Sequence, residues 1–138
     1  MPRRKVLILC TGNSCRSQLA EALWRHEAGE LWDVRSAGTA PKGVHPLSLQ
    51  VLQEIGVSTE GLRSKHVSEL DTTDLDLLVT VCGHAQETCP ALPGQFRREH
   101  WPFDDPAAAT GSAEEILAVF RRVRDQIRSR IKEYLARS

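Results

Sequence analysis

The 138-residue chain carries 41% hydrophobic and 26% charged residues, which suits one packed domain and excludes a wholly disordered chain. Its 18 Lys and Arg balance 18 Asp and Glu, so no global basic field exists for nucleic acid or a membrane surface, and any anion affinity has to be built locally. No apolar run nears the roughly 18 residues of a membrane span, and the stretch Val6–Leu9 behind the basic start is too short for a signal-peptide core, so a cytoplasmic protein is expected.

Lys5–Cys10 is a short apolar run of the kind that forms a central parallel strand. After the loop Thr11–Arg16, the spacing of Leu19, Ala20, Leu23 and Trp24 predicts a helix from about Ser17 to Ala28, with Gly29 closing it. Asp33–Ala37 reads as a second strand ending at Gly38. Pro46 opens a helical pattern through Leu49, Leu52 and Ile55, and Gly56 closes it. Leu75–Cys82 reads as the next buried strand, and Gly83, Pro90, Pro93 and Gly94 bracket a loop or short helix. Arg97–Phe103 reads as an edge strand stopped by Asp105-Pro106.

Ser112-Ala-Glu-Glu115 fits a capping box. Ile116, Phe120, Val123, Ile127, Ile131 and Leu135 then repeat at helical steps, predicting a helix from about Ala113 to Ala136. Its apolar stripe should pack on the sheet and its arginines should form a solvated face. Strands alternating with helices imply one doubly wound α/β domain over residues 1–138, a four-stranded parallel sheet flanked by helices. Such sheets bind ligands at the carboxyl ends of their strands, where both Cys10 and Cys82 are expected.

The loop Cys10-Thr-Gly-Asn-Ser-Cys-Arg-Ser17 joins a strand to a helix. It is not the Walker phosphate loop, which needs glycine-lysine-serine or threonine. Short residues at Thr11, Gly12, Asn13 and Ser14 let the backbone curl so that its amides, through Cys15 and Arg16, form an anion nest at a helix N-terminus. Arg16 adds a planar fork for two oxygens of a tetrahedral oxyanion. The same positive surroundings favour Cys10 as thiolate, and Ser17 stands where it can donate to it. An acid for a leaving oxygen is available in Trp101-Pro-Phe-Asp-Asp-Pro106, where Asp105 is favoured over Asp104 and the alternative is that both are turn residues.

Cys10, Cys15, Cys82 and Cys89 point, in a cytosolic chain, to metal or redox chemistry. Zinc sites favour closely spaced cysteine pairs; six residues separate Cys82 from Cys89, and four ligands on one ion would leave Arg16 without a role. Cys15 reads as a packing residue.

The loop, Ser36-Ala-Gly38, Val81-Cys-Gly-His-Ala-Gln-Glu-Thr-Cys-Pro90 and Glu99-His-Trp-Pro-Phe-Asp-Asp-Pro106 together resemble the low-molecular-weight protein tyrosine phosphatase fold, and more closely the thioredoxin-coupled arsenate reductases built on it. Departing from the phosphatases, Ala107–Ala109 follow the Asp-Pro where those enzymes usually carry tyrosine, and the only tyrosine is Tyr134.

The resemblance implies a relay. Cys10 attacks arsenate, Asp105 protonates the departing oxygen, Cys82 attacks Cys10 and Cys89 attacks Cys82, with thioredoxin reducing the last disulfide. It also implies a small oxyanion substrate (arsenate, also phosphate or sulfate), a weak phosphatase side activity, no cofactor and a monomer. The alternative is a phosphatase with a regulatory Cys82–Cys89 disulfide. Some members of the family hold potassium beside the loop with residues matching Asn13, Glu21 and Ser36 and a nearby aspartate; here Ser64-Lys65 stands in that segment, and the Lys65 ammonium is expected in the ion's place. Residues 83–88 favour helix, along which Cys82 and Cys89 would be about 10.5 Å apart, beyond the roughly 7 Å a disulfide spans, so closing that bond requires unwinding.

Overall fold

A computed structural model describes residues 3–81 and 94–137. Four strands form one parallel sheet: β1 (Arg4–Cys10), β2 (Trp32–Gly38), β3 (Leu77–Thr80) and β4 (Arg97–His100), in the order β2-β1-β3-β4. Three helices accompany it: α1 (Arg16–Ala28), α2 (Pro46–Gln53) and α3 (Ala113–Arg137). No described helix is long and apolar enough to cross a membrane.

The apolar runs explain the sheet. Val6, Ile8 and Cys10 of β1 face one core with Val79, α1 and the stripe Phe120, Val123, Ile127 and Ile131 of α3. Leu7 and Leu9 face the other side with Ala37 and Leu78, covered among the described residues by Val67, Leu70, Leu75 and Phe96. Because β1 is covered on both faces, its run is continuous rather than alternating. All four strands run parallel, but the order of strand addition reverses between β1 and β3, so the loops after these two strands leave in opposite directions at their carboxyl ends, which is where a ligand crevice forms in such sheets.

Several expected boundaries move. β3 is four residues long rather than eight. Val81 still donates to Leu9 O at 3.0 Å, and Cys82 lies outside the described residues. The readings of residues 83–88, Cys89, Pro90 and Pro93 also fall outside them. β4 ends at His100 rather than Phe103; Trp101 donates one more bond to Thr80 O, and Pro102 has no N–H to continue the ladder. The capping box at Ser112 and Glu115 is made in both directions, at 3.1 and 3.3 Å.

One arginine of α3 departs from the expected solvated face. Arg124 is buried, donating to Val51 O at 2.9 Å and to Glu54 Oε1 at 3.1 Å. Arg121 grips the same Glu54 in a fork, which holds that carboxyl below its usual range. The pair locks α2 onto α3. Tyr134 packs with Trp24, Trp32 and Trp101 in an aromatic cluster of the core, so the chain's one tyrosine is structural.

Candidate active site

Residues 11–15 curl between the end of β1 and the start of α1. Asn13 is the only non-glycine among the described residues with positive φ, at 45°, a conformation its short polar side chain tolerates. Each carbonyl of the curl is held from outside. Thr11 O accepts from Ala40 N, Gly12 O from Lys42 N and Ser64 Oγ, Asn13 O from Gln18 Nε2, and Ser14 O from His45 N and Ser48 Oγ, all between 2.9 and 3.3 Å. In a trans peptide the N–H of the next residue points opposite to the carbonyl. Holding four carbonyls outward therefore turns the amides of Gly12, Asn13, Ser14 and Cys15 inward. Cys15 makes no side-chain cap on α1, so the helix N-terminus adds its own donors to the same concavity.

Cys10 sits at the base of this curl, 2% exposed. Its Sγ accepts the Asn13 N–H at 3.1 Å and lies 2.8 Å from Ser17 Oγ. Asn13 Nδ2 donates to Ser17 Oγ at 2.8 Å and to Ser36 Oγ at 2.9 Å, and Ser36 donates to the buried Glu21 at 2.6 Å. Ser17 Oγ accepts from Asn13 Nδ2 and keeps one proton, which it can give to Cys10 Sγ once that sulfur carries none of its own. The sulfur thus has two potential donors within reach, Asn13 N–H and Ser17 Oγ.

Arg16, 5% exposed, closes the mouth. Its Nη1 donates to Val81 O and Phe103 O, at the carboxyl ends of β3 and of the segment after β4, and its Nη2 lies 3.7 Å from Asp105 Oδ2. Asp105 begins a short turn, Pro106–Ala108, with Oδ1 accepting from Ala107 N at 3.0 Å, so its other oxygen faces the guanidinium. Asp104 faces away, 3.6 Å from Arg122 of α3. The two aspartates that sequence alone left in competition are thereby separated.

Cys15 is buried beside the loop, and burial pushes its thiol up from the ordinary value, against weaker opposing hydrogen bonds from Ser48 and Ser14. It stands as a neutral thiol. Lys65 is 8% exposed, with Nζ donating to Arg63 O at 3.0 Å and lying 3.7 Å from Glu21 Oε1, while its own N–H donates to Asn13 Oδ1 at 2.9 Å. Asn13, Glu21, Ser36 and Lys65 are therefore one connected group behind the thiol. Burial lowers the Lys65 ammonium below its ordinary range, with Glu21 pulling the other way. Cys82 and Cys89 lie outside the described residues.

Sequence reasoning assigned no role to Gln18 and gave Gly38 only as the end of a strand and as part of a resemblance. A Cβ on Gly38 would stand 2.4 Å from Thr11 O and 3.0 Å from both Asn13 N and Cys10 O. These are backbone atoms of the curl and cannot step aside cheaply. Gly38→Ala should cost about 1–3 kcal/mol of stability and, by shifting the curl by roughly 1 Å, reduce kcat/KM by about 30-fold. Urea unfolding and steady-state kinetics check it; an unchanged kcat/KM would show that the curl adjusts without loss.

A parallel sheet whose central strand ends in a thiol-headed curl defines an α/β protein with a buried thiol and inward-turned amides on one strand-to-helix turn. Residues 5–137 match the low molecular weight phosphotyrosine protein phosphatase family, and the chain belongs to that family. It is 47% identical over 134 residues to an arsenate reductase of Halalkalibacterium halodurans, covering 97% of this chain and 96% of that one. Among solved structures it resembles an arsenate reductase in the phosphate binding state, with a TM-score of 0.80 and 28% identity over 97% of this chain and 98% of that one. It also resembles a thioredoxin-dependent arsenate reductase of Corynebacterium glutamicum, with a TM-score of 0.69 and 30% identity over 99% of this chain and 64% of that one.

Proposed function

We propose that this protein is an arsenate reductase that uses Cys10 as nucleophile, with Cys82 and Cys89 as an internal relay and thioredoxin as reductant. The observation that carries the reading is the placement of Cys10 Sγ, which accepts Asn13 N–H and lies 2.8 Å from Ser17 Oγ, inside a curl whose amides face the same space. The similarity to arsenate reductases, one of them thioredoxin-dependent, supports it.

The steps balance as follows. Cys10 thiolate attacks arsenic of HAsO4²⁻, Asp105 delivers one proton to the departing hydroxyl, and water leaves, giving a Cys10–S–AsO3²⁻ adduct. Inward amides and Arg16 hold the three remaining oxygens. Cys82 thiolate then attacks the Cys10 sulfur; the S–As bond breaks with its electron pair on arsenic, which leaves as arsenite in the lower oxidation state. Cys89 thiolate attacks Cys82 and frees Cys10. Thioredoxin supplies two electrons to the Cys82–Cys89 disulfide. Two thiols per arsenate are consumed before the external reductant acts, and the relay carries oxidation out of the anion curl. Free thiols of this kind belong to a reducing cytoplasm.

The test is arsenate-dependent NADPH oxidation with thioredoxin and thioredoxin reductase, together with a thiol count after one turnover. Loss of two thiols per arsenate is expected. Loss of none, with phosphate esters hydrolysed rapidly, would favour a phosphatase instead. Because phosphate and arsenate share shape and charge, a slow hydrolysis of small aryl phosphates accompanies the main activity.

In this reading the Lys65 ammonium does the work of a bound cation beside the curl. Exchanging potassium for sodium at constant ionic strength near pH 7 should leave KM for arsenate within twofold. Lys65→Asp should create a potassium dependence of several-fold in KM. Since burial makes Lys65 lose its proton at a lower pH than a free lysine, any potassium effect on the unmodified protein should emerge only on the alkaline side. A strong effect at pH 7 would remove Lys65 from this role.

A further inference from the structure

Gln18 lies in the first turn of α1, fully buried, and plays no part in the relay. Its Nε2 donates to Asn13 O at 2.9 Å and to Arg63 O at 3.0 Å, spending both amide hydrogens on backbone carbonyls. Its Oε1 is buried without a hydrogen-bond partner among the described residues. A buried acceptor left without a partner keeps its desolvation cost uncompensated, so the amide is a poor choice for packing alone. Flipping it would set Oε1 against two carbonyl oxygens, so the donors have to face this way.

The two carbonyls it bridges are informative. Asn13 O belongs to the residue at positive φ, whose N–H bonds Cys10 Sγ and whose side chain bonds Ser17 and Ser36. Of the four carbonyls held outward around the curl, this is the one gripped by a side-chain amide rather than by backbone of residues 40–45. Arg63 O is also the acceptor of the Lys65 ammonium, and Lys65 N–H closes the circuit onto Asn13 Oδ1.

We propose that Gln18 is a positioning residue: its side-chain amide pins the Asn13 peptide in its left-handed turn and ties the anion curl to the Arg63–Lys65 segment, so that the oxyanion site is formed before the ligand arrives. The proposal rests on the curl being an oxyanion site, as in the function proposed above. Preorganisation of this kind is read as affinity, because a curl that must be ordered on binding loses part of the interaction energy.

The probe is inorganic phosphate, which needs neither Cys82, Cys89 nor a reductant, so this test and the arsenate assay fail separately. Gln18→Met keeps similar volume and removes both donors. By calorimetry its phosphate Kd should rise at least tenfold, with KM for arsenate rising in parallel and kcat changing less, while the variant, though its urea midpoint falls, still unfolds cooperatively and is fully folded in the assay buffer. A Kd within twofold, or a loss of affinity matched by general unfolding, would overturn the proposal. A second measurement needs no variant. In the unmodified protein the Gln18 side-chain NH2 resonances should exchange slowly with solvent; exchange at the rate of a free glutamine amide would overturn it. Failure of the unmodified protein to bind phosphate at all would overturn it together with the oxyanion reading.

Discussion

Replacing Cys10 by serine is expected to remove arsenate-dependent turnover and aryl phosphate hydrolysis together, each by about 10⁴-fold or more. The reason is chemical rather than structural. A hydroxyl in the same place is not ionised near neutrality, and it cannot form the sulfur–sulfur bond through which electrons reach arsenic. The curl itself does not depend on the thiol: its carbonyls are held by residues 18, 40, 42, 45, 48 and 64. Cys10→Ser should therefore keep phosphate binding within a few-fold while losing both activities. Loss of phosphate binding as well would mean that the sulfur organises the loop, and the separation of nucleophile from anion site would be wrong.

The other thiols divide by step. Cys89→Ser should release one arsenite per protein and then stop as a Cys10–Cys82 disulfide. Cys82→Ser should stop earlier, before arsenite leaves. Both should keep any phosphatase activity, because hydrolysis of a phospho-Cys10 needs water and an acid but no second thiol. Cys15→Ser should retain most activity, since burial keeps that thiol neutral and its neighbours are Ser14 and Ser48. Full steady-state reduction by Cys82→Ser in the presence of thioredoxin would exclude the relay.

What was legible in the sequence follows the physics of each feature. β1 and α3 announce themselves because burial of a doubly covered strand and of a helix stripe leaves long apolar patterns. The curl was legible because its chemistry is contiguous, from Cys10 to Ser17. Strand ends were not: β3 is four residues where the apolar run suggests eight, and the sequence marks a stop locally for β4 alone, at Pro102, which has no N–H. The outer support of the curl was hidden for a similar reason. Ala40, Lys42 and His45 contribute backbone N–H groups, which any sequence has. Gln18 and Arg124 look like solvent-facing polar residues because periodicity cannot tell a buried amide or guanidinium with backbone partners from an exposed one. The group Asn13, Glu21, Ser36 and Lys65 spans more than fifty residues, and only a resemblance brought it into view.

Asp105→Asn is expected to slow both the arsenate step and aryl phosphate hydrolysis by about 100-fold, while Asp104→Asn changes either by less than threefold. The difference comes from where each carboxylate points. Asp105 is oriented twice, by Ala107 N on one oxygen and by the Arg16 guanidinium at 3.7 Å from the other, so the second oxygen lies at the mouth of the curl, where a leaving oxygen emerges. Asp104 is mostly exposed and turned to Arg122, in a surface ion pair worth a fraction of a kcal/mol. An asparagine at 105 still caps the Pro106–Ala108 turn, so the loop should stay in place and only the proton should be lost. The substrate itself supplies a further check. An aryl phosphate with a strongly acidic phenol leaves without help, so Asp105→Asn should be nearly harmless there and severe for a poor leaving group. Equal losses from Asp104→Asn and Asp105→Asn, or a loss from Asp105→Asn that ignores leaving-group acidity, would mean that Asp105 steadies Arg16 rather than delivering the proton.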